Sequence, residues 1–396
     1  MDPQLELGHP VFDADNHYYE ALDAFTRHLP AGMGPRCVQW AEIEGKKYHV
    51  VGGKVSRAVA NATFNPISKP GCLSEYFRGN PNNVDVLALL KDSEPIRPEY
   101  LNPVARTKVL DEQHLAGCFM YPTLGMLYEE ILKDDPEAVC VTFRAFNRWL
   151  ADDWGLNHED RIFNAPYIAL ADPAWASEEL EWALDNGARL LVMRPAAPTT
   201  ALGRKSPFDA MFDGFWARVE EAGITVIVHA GDSGVSSNGY AVDGFAANFR
   251  GGFHPTIKNF HIEQAVHEFL LSMTLAGHFT KFPNLRVASV ENGAEFLPDL
   301  FRKLRSTAKK MPGLFSKDPV DIFRRHVWVN PFWEDDLLTV VEHMGADRVI
   351  FGSDWPHIEA LPHPLDYVPE TKPLSDDDRR LVLHDNAIEL STLRPR

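Results

Sequence analysis

"VFDADNHYYE", residues 11–20, opens as an apolar strand and then carries Asp13, Asp15, His17 and Glu20. Side chains of an extended strand alternate faces with period two, so Asp13, Asp15 and His17 would point the same way. An Asp-x-His pair at a strand end can converge on one cation, although the same residues also suit a turn followed by a helix cap. Which reading holds depends on what the remaining strands bring to the same end.

Seven further short apolar runs follow: "GCFMYPT" (117–123), "RIFNAPYIAL" (161–170), "ARLLVMRP" (188–195), "ITVIVHA" (224–230), "LRVASVEN" (285–292), "HVWVNPF" (326–332) and "RVIFGSDWPH" (348–357). Their length and β-branching are those of buried parallel strands. Helical segments alternate with them. The spacing predicts helices over 136–154, 176–187, 208–223, 261–279, 333–345 and 375–390, several with Pro, Ser or Asp at the start or Gly at the end. This alternation predicts an α/β fold, a (β/α)8 TIM barrel occupying 1–396 as a single domain. A doubly wound sheet is the alternative, weakened because no Gly-rich phosphate turn follows the first strand.

Two stretches interrupt the alternation. Residues 30–105 contain "VQWAEIEGKKYHVVGGKV", a hairpin pattern with a Gly-bearing turn, followed by Pro/Asn-rich loops. Residues 231–260 are rich in Gly, Ser and Asn. Both follow strand C-termini, where barrel active sites lie, so they are expected to form a cap inserted after the first strand and a long loop after the fifth.

Composition excludes some functions. The 396 residues carry a formal net charge of −17, which argues against nucleic acid or an anionic membrane as partner. No apolar run approaches the ~20 residues of a bilayer span. The four cysteines, Cys37, Cys72, Cys118 and Cys140, follow no metal or disulfide spacing, and "MDPQLELGHP" has no leader pattern. A cytoplasmic enzyme acting on a small molecule is the expectation.

Polar residues at the expected strand ends are Asp15 and His17, Arg194, His229, Glu291 and Asn292, Asn330, and Asp354 with His357 three further on. Each alone can be a core or turn residue. Together, buried acids and imidazoles at one end of a barrel would cost several kcal/mol apiece without a cation.

Five stretches, "FDADNH", "VIVHAGDSG", "HFTKFPNLRVASVENGAEFLP", "VIFGSDWPH" and "LHDNAIEL", resemble the amidohydrolase superfamily. The closer resemblance is to its amidohydrolase-2 branch, with aminocarboxymuconate-semialdehyde and resorcylate decarboxylases. The resemblance implies one divalent metal, Zn2+ or alternatively Mn2+ or Fe2+, held by Asp15, His17, His229 and Asp354. It also implies a departure: decarboxylase relatives have a sixth-strand His where this chain has Glu291. That carboxylate either carries protons or partners Arg194. The resulting expectation is a metal-dependent hydrolase of an amide, lactone or carbon–carbon bond. In it Asp354 is ligand and base, Glu291 or His357 passes the proton, and Arg194 and Asn330 contact the substrate. A decarboxylase or hydratase on the same scaffold, and a non-catalytic degenerate barrel, are the alternatives. The resemblance further suggests a homodimer.

Overall fold

The computed structural model describes residues 7–234 and 258–394. The first strand, β1 (Val11–Tyr18), is buried along its whole length. A strand covered on both faces must pair on both edges with other buried strands. On one side β1 pairs in parallel with β2 (Leu115–Pro122), which pairs in parallel with β3 (Ile162–Asn164). A second parallel sheet runs in the order β4 (Leu190–Met193), β5 (Thr225–His229), β6 (Arg286–Val290) and β7 (Val327–Val329).

Isolated parallel bridges link these sheets. Tyr167 bridges Val192, joining the chain just beyond β3 to β4. At the other margin Val329 bridges Val349, and Asn16 bridges Trp355. The 348–357 segment is therefore flanked by β7 and β1, with Ile350 N donating to Val329 O at 2.9 Å and Ala14 N donating to Phe351 O at 2.8 Å. It is not the regular strand expected from "RVIFGSDWPH". The extended run ends at Gly352, and Asp354 adopts a left-handed φ of 60°. The third strand is also shorter than the expected 161–170, because Pro166 has no N–H to continue a ladder.

The helices largely follow the expected pattern. Pro136–Asp153 begins at a Pro with Asp135 accepting from Ala138 N, and Pro173–Asp185 is capped by Asp172. Asp213–Ala222 ends at Gly223, whose φ of 61° is the left-handed stop a glycine permits. The helix expected from residue 333 starts only at Leu337. The Asp335 carboxylate accepts from Phe332 N and Ala294 N, which holds 332–335 in a turn instead.

Within 30–105 the expected hairpin pairs Val38–Ile43 with Lys46–Val51 through Glu44 and Gly45, both at positive φ. Most of the long 231–260 stretch lies outside the described residues. No helix among the described residues is long and apolar enough to cross a membrane.

Arg106, absent from the sequence expectations, anchors the end of β1. Fully buried, it donates to Glu99 O at 2.8 Å, to His17 O at 2.7 Å and to the Asn16 side chain. Replacing it with Met keeps the apolar stem but leaves three acceptors unsatisfied. Arg106→Met is expected to lower stability by about 3 kcal/mol or more, read as the urea midpoint at unchanged m-value.

Candidate metal centre

β1 delivers Asp15 and His17 to the end of the sheet, β5 delivers His229, β6 is followed by Glu291, and the 348–357 segment supplies Asp354 and His357. Their donor atoms converge. His17 Nε2 lies 3.3 Å from Asp15 Oδ1, 3.2 Å from Glu291 Oε2 and 3.3 Å from Asp354 Oδ1. His229 Nε2 lies 3.2 Å from Glu291 Oε2 and 3.7 Å from Asp15 Oδ1. The donors form two overlapping groups. One joins Asp15, His17, His229 and Glu291; the other joins His17, Glu291, Asp354 and His357.

Within each group these spacings are those of ligands around a common ion. With metal–ligand bonds of about 2.1 Å, neighbouring donors in a tetrahedral shell sit about 3.4 Å apart. Alignment agrees: Asp15 Oδ1, His17 Nε2, His229 Nε2 and Asp354 Oδ1 are buried and make no aligned hydrogen bond among the described residues. Such orphaned atoms are costly unless a cation takes their lone pairs. The tautomer of His229 fits. Its Nδ1 faces Ala230 O at 2.9 Å, a carbonyl that can only accept, so Nε2 keeps a free lone pair toward the cluster.

The electrostatics carry the same message. Burial pulls the Asp15 carboxyl up, but the imidazoles of His17 and His229 outweigh it and hold the group below its ordinary range. Burial disfavours a charged His17, yet Asp15 and Glu291 together raise it to about 9. Burial, then Glu291, Glu359 and Asp15, push Asp354 well up. Burial, then His17 and His229, push His357 well down. A surplus of carboxylates thus holds a proton on His17 where a divalent ion would replace it.

Surrounding contacts hold the donors in place. Asp13, expected to face the same way as Asp15 and His17, stays outside the cluster because the pairing of β1 shifts register between Asp13 and Asn16. Its carboxylate instead accepts from Ser353 N at 2.9 Å, Ser353 Oγ at 2.6 Å and Asn16 Nδ2 at 2.8 Å, tying the residue before Asp354 to β1. Burial raises the Asp13 carboxyl to about 6. Glu20 caps the helix Gly125–Leu132, accepting from Leu124 N at 2.7 Å and Gly125 N at 3.0 Å. Gly352 packs against Asp15 so closely that a Cβ there would lie 2.3 Å from the Asp15 Cβ. Glu291 and Asp354 both have positive φ, 55° and 60°, a strained setting for non-glycine residues that aims their carboxylates inward.

Two expectations need correction. Arg194 does not reach out to a substrate carboxylate. It is buried between Glu129 and Glu130, at 3.3 and 2.6 Å, and it also donates to Asp232 O. A buried guanidinium needs such partners, and the paired acids of Gly125–Leu132 supply them. Glu291 is accordingly not its partner. Asn330 is buried too, outside the cavity lining, and its Oδ1 accepts from Glu291 N at 3.3 Å, so it holds the Glu291 backbone.

The cluster opens into a cavity of about 390 Å³ lined by His17, His229, Glu291 and His357. Three residues not singled out from the sequence also line it. Thr123 Oγ1 lies 3.0 Å from His357 Nε2, and its place at the end of β2 was a readable signal. Tyr19 donates to Pro356 O at 3.0 Å. Burial, followed by the charge of Glu291, raises Glu359 to about 7.

A family model described as Amidohydrolase matches residues 98–390. The chain belongs to this amidohydrolase family. Over 306 residues it is 24% identical to the gamma-resorcylate decarboxylase of Rhodococcus jostii (strain RHA1), covering 73% of this chain and 87% of that protein. The crystal structure of an amidohydrolase from Mycobacterium avium subsp. paratuberculosis K-10 superposes with a TM-score of 0.91 at 40% identity, covering 98% of this chain and 100% of that one. A dihydroxybenzoic acid decarboxylase from Polaromonas sp. JS666, with bound manganese and the inhibitor 2-nitroresorcinol, superposes with a TM-score of 0.59 at 18% identity, covering 81% and 93%. The family makes the chain an enzyme, and the curated relative, a decarboxylase, fits the decarboxylase alternative better than hydrolysis.

Metal affinity in this amidohydrolase should rise with pH. The metal-free protein keeps a proton on His17 up to about pH 9, so each ion bound near neutrality must release it. Titration calorimetry with Mn2+ in buffers of differing ionisation enthalpy should read at least one proton released at pH 7, from His17 and from any held by Asp354, and tighter binding from pH 6 to 8. A pH-independent affinity would contradict the site. Gly352→Ala should cost on the order of 1–3 kcal/mol through overpacking and weaken Mn2+ binding along with it, because Asp15 must move.

Proposed function

We propose that this chain is a metal-dependent, non-oxidative decarboxylase of an aromatic or related cyclic carboxylic acid. The observation that carries the reading is the convergence of Asp15, His17, His229 and Glu291, overlapped through His17 and Glu291 by Asp354 and His357, beside a mostly apolar cavity that His17, His229, Glu291 and His357 line. The likeness to resorcylate and dihydroxybenzoate decarboxylases supports it. Asp15, His17, His229 and Asp354 would hold one divalent ion, with Glu291 as a further oxygen donor. Three carboxylates and two imidazoles make an oxygen-rich set, which favours Mn2+ over Zn2+. When bound, the ion supplies Lewis acidity toward a substrate oxygen and screens the acidic floor.

The chain's own residues do the rest. The apolar wall of Phe64, Ile67, Leu124 and Met126 excludes water and packs a ring against the cluster. The bond between ring carbon and carboxylate breaks, its electron pair stays on the ring, carbon dioxide leaves, and a proton fills the vacated position. His357, neutral in this setting, is placed to relay that proton from Asp354 rather than to supply it: it lines the cavity, 2.7 Å from Asp354 Oδ1 and in contact with Thr123. Glu291, standing where the resemblance implies a histidine, is used for binding and charge balance.

The scaffold we propose is a closed (β/α)8 barrel. The bridges at Tyr167–Val192, Val329–Val349 and Asn16–Trp355 support closure by linking the two sheets at both margins. A cap built from 30–105 is supported by the lining residues it contributes, from Arg57 to Ser68 and Leu90.

The test is product analysis with Mn2+-loaded protein and a panel of hydroxybenzoates in deuterated water. One equivalent of carbon dioxide and one ring deuterium per turnover are expected. His357→Ala should lower kcat by roughly 10²-fold or more with unfolding unchanged. Turnover of amides or lactones in labelled water, with oxygen entering the acid product and no carbon dioxide, would overturn the proposal in favour of hydrolysis.

A further inference from the structure

The cavity's charges are lopsided. Beyond the donor cluster, its charged lining residues are Arg57 and Glu359. Arg57 is exposed, and its guanidinium stacks on the Tyr48 ring, 4.9 Å from the centroid. Arg194, the cation that could have neutralised an acid inside, is held away by Glu129 and Glu130. The interior therefore offers substrate two carboxylates, Glu291 and Glu359, with no side-chain cation between them among the described residues.

Glu359 differs from Glu291 in what surrounds it. The carboxylate of Glu291 is taken up by His17 and His229. Glu359 is anchored through its backbone, its carbonyl accepting from Trp333 Nε1 at 3.1 Å. Its carboxylate receives no hydrogen bond from another described residue, yet the residue lines the cavity beside His357 and Ile358. A carboxylate held by its main chain against an apolar wall, bonded only to its own backbone N–H, keeps acceptor capacity to meet a donor on a ligand.

We propose that Glu359 is a specificity-determining residue: it accepts a hydrogen bond from a hydroxyl on the substrate ring and repels a second carboxylate. The site then takes cyclic monocarboxylic acids bearing a hydroxyl and rejects dicarboxylic ones. The inference rests on the reading that the substrate's single carboxylate goes to the cation of the cluster. A hydroxyl given to a charged acceptor in a dry site contributes about 1.5–3 kcal/mol, or roughly 10- to 100-fold in affinity. A second carboxylate loses a comparable factor, since nothing inside offsets its charge.

The experiment measures dissociation constants of Mn2+-loaded protein for benzoate, 3- and 4-hydroxybenzoate, isophthalate and terephthalate by calorimetric competition. Salicylate is left out because its hydroxyl can chelate the metal. The readout is the ratio of each constant to that of benzoate within the same protein. In the wild type, at least one hydroxybenzoate should bind about tenfold tighter than benzoate, and both diacids about tenfold weaker. Glu359→Leu should bring the hydroxybenzoate ratio to within about threefold of unity, and Glu359→Gln should relieve most of the penalty on the diacids. Ratios that are the same in wild type and both variants would overturn the assignment to Glu359 while leaving the decarboxylase reading intact. Failure of the wild type to bind benzoate when metal-loaded would overturn both.

Discussion

Three carboxylates and two imidazoles with their lone pairs turned toward one another cannot remain buried without a positive charge among them. The metal-free protein meets this demand by keeping a proton on His17, and the donor spacings of 3.2–3.7 Å leave room for a divalent ion in its place. Much of the nearby structure serves this constraint. Asp13 pins Ser353, Arg106 pins the end of β1, and Gly352 lets two backbones approach where any side chain would separate them. Each acts on the position of a donor without being one.

The same constraint accounts for the strained backbone. Glu291 follows β6 and Asp354 interrupts the last extended segment, and both sit at positive φ. A residue continuing the extended run would alternate to one face or the other. A left-handed residue turns its side chain back over the strand ends, where the other donors already lie. Strain of this kind costs on the order of 1–3 kcal/mol per residue and persists only where surrounding contacts over-determine it. Asn330 at the Glu291 amide and the Asp354 N–H to Asp15 O bond, 2.9 Å, are such contacts.

Family membership and active-site chemistry are separate matters here. The scaffold is what the chain shares with its family, and the donor cluster at the strand ends says where chemistry happens. The cavity says what can enter, and it is assembled from the 57–68 stretch, the start of the Gly125–Leu132 helix and residues 357–359. Glu291 adds a carboxylate to the donor cluster, so an ion's charge matters more for holding an anionic substrate than it would beside a neutral residue.

The donors at the ends of β1 and β5 and in "GSDWPH" were legible in the chain because strand periodicity and position relative to strand ends are local properties. The helix boundaries at Asp135, Asp172 and Gly223 were legible for the same reason: capping depends on residues within one turn. What the sequence determined by itself was therefore the alternation of elements and the kinds of ligand placed at their ends. Tertiary structure alone decided which buried charge meets which. Arg194 looked available until Glu129 and Glu130, more than sixty positions earlier, closed on it. Asp13 shares the strand with the ligands, but only the packed chain brings Ser353, 340 positions later, onto its carboxylate. The physical reason is range: dihedral preferences and caps act within a few residues, whereas the pairing of buried charges depends on through-space distances that only the packed chain sets.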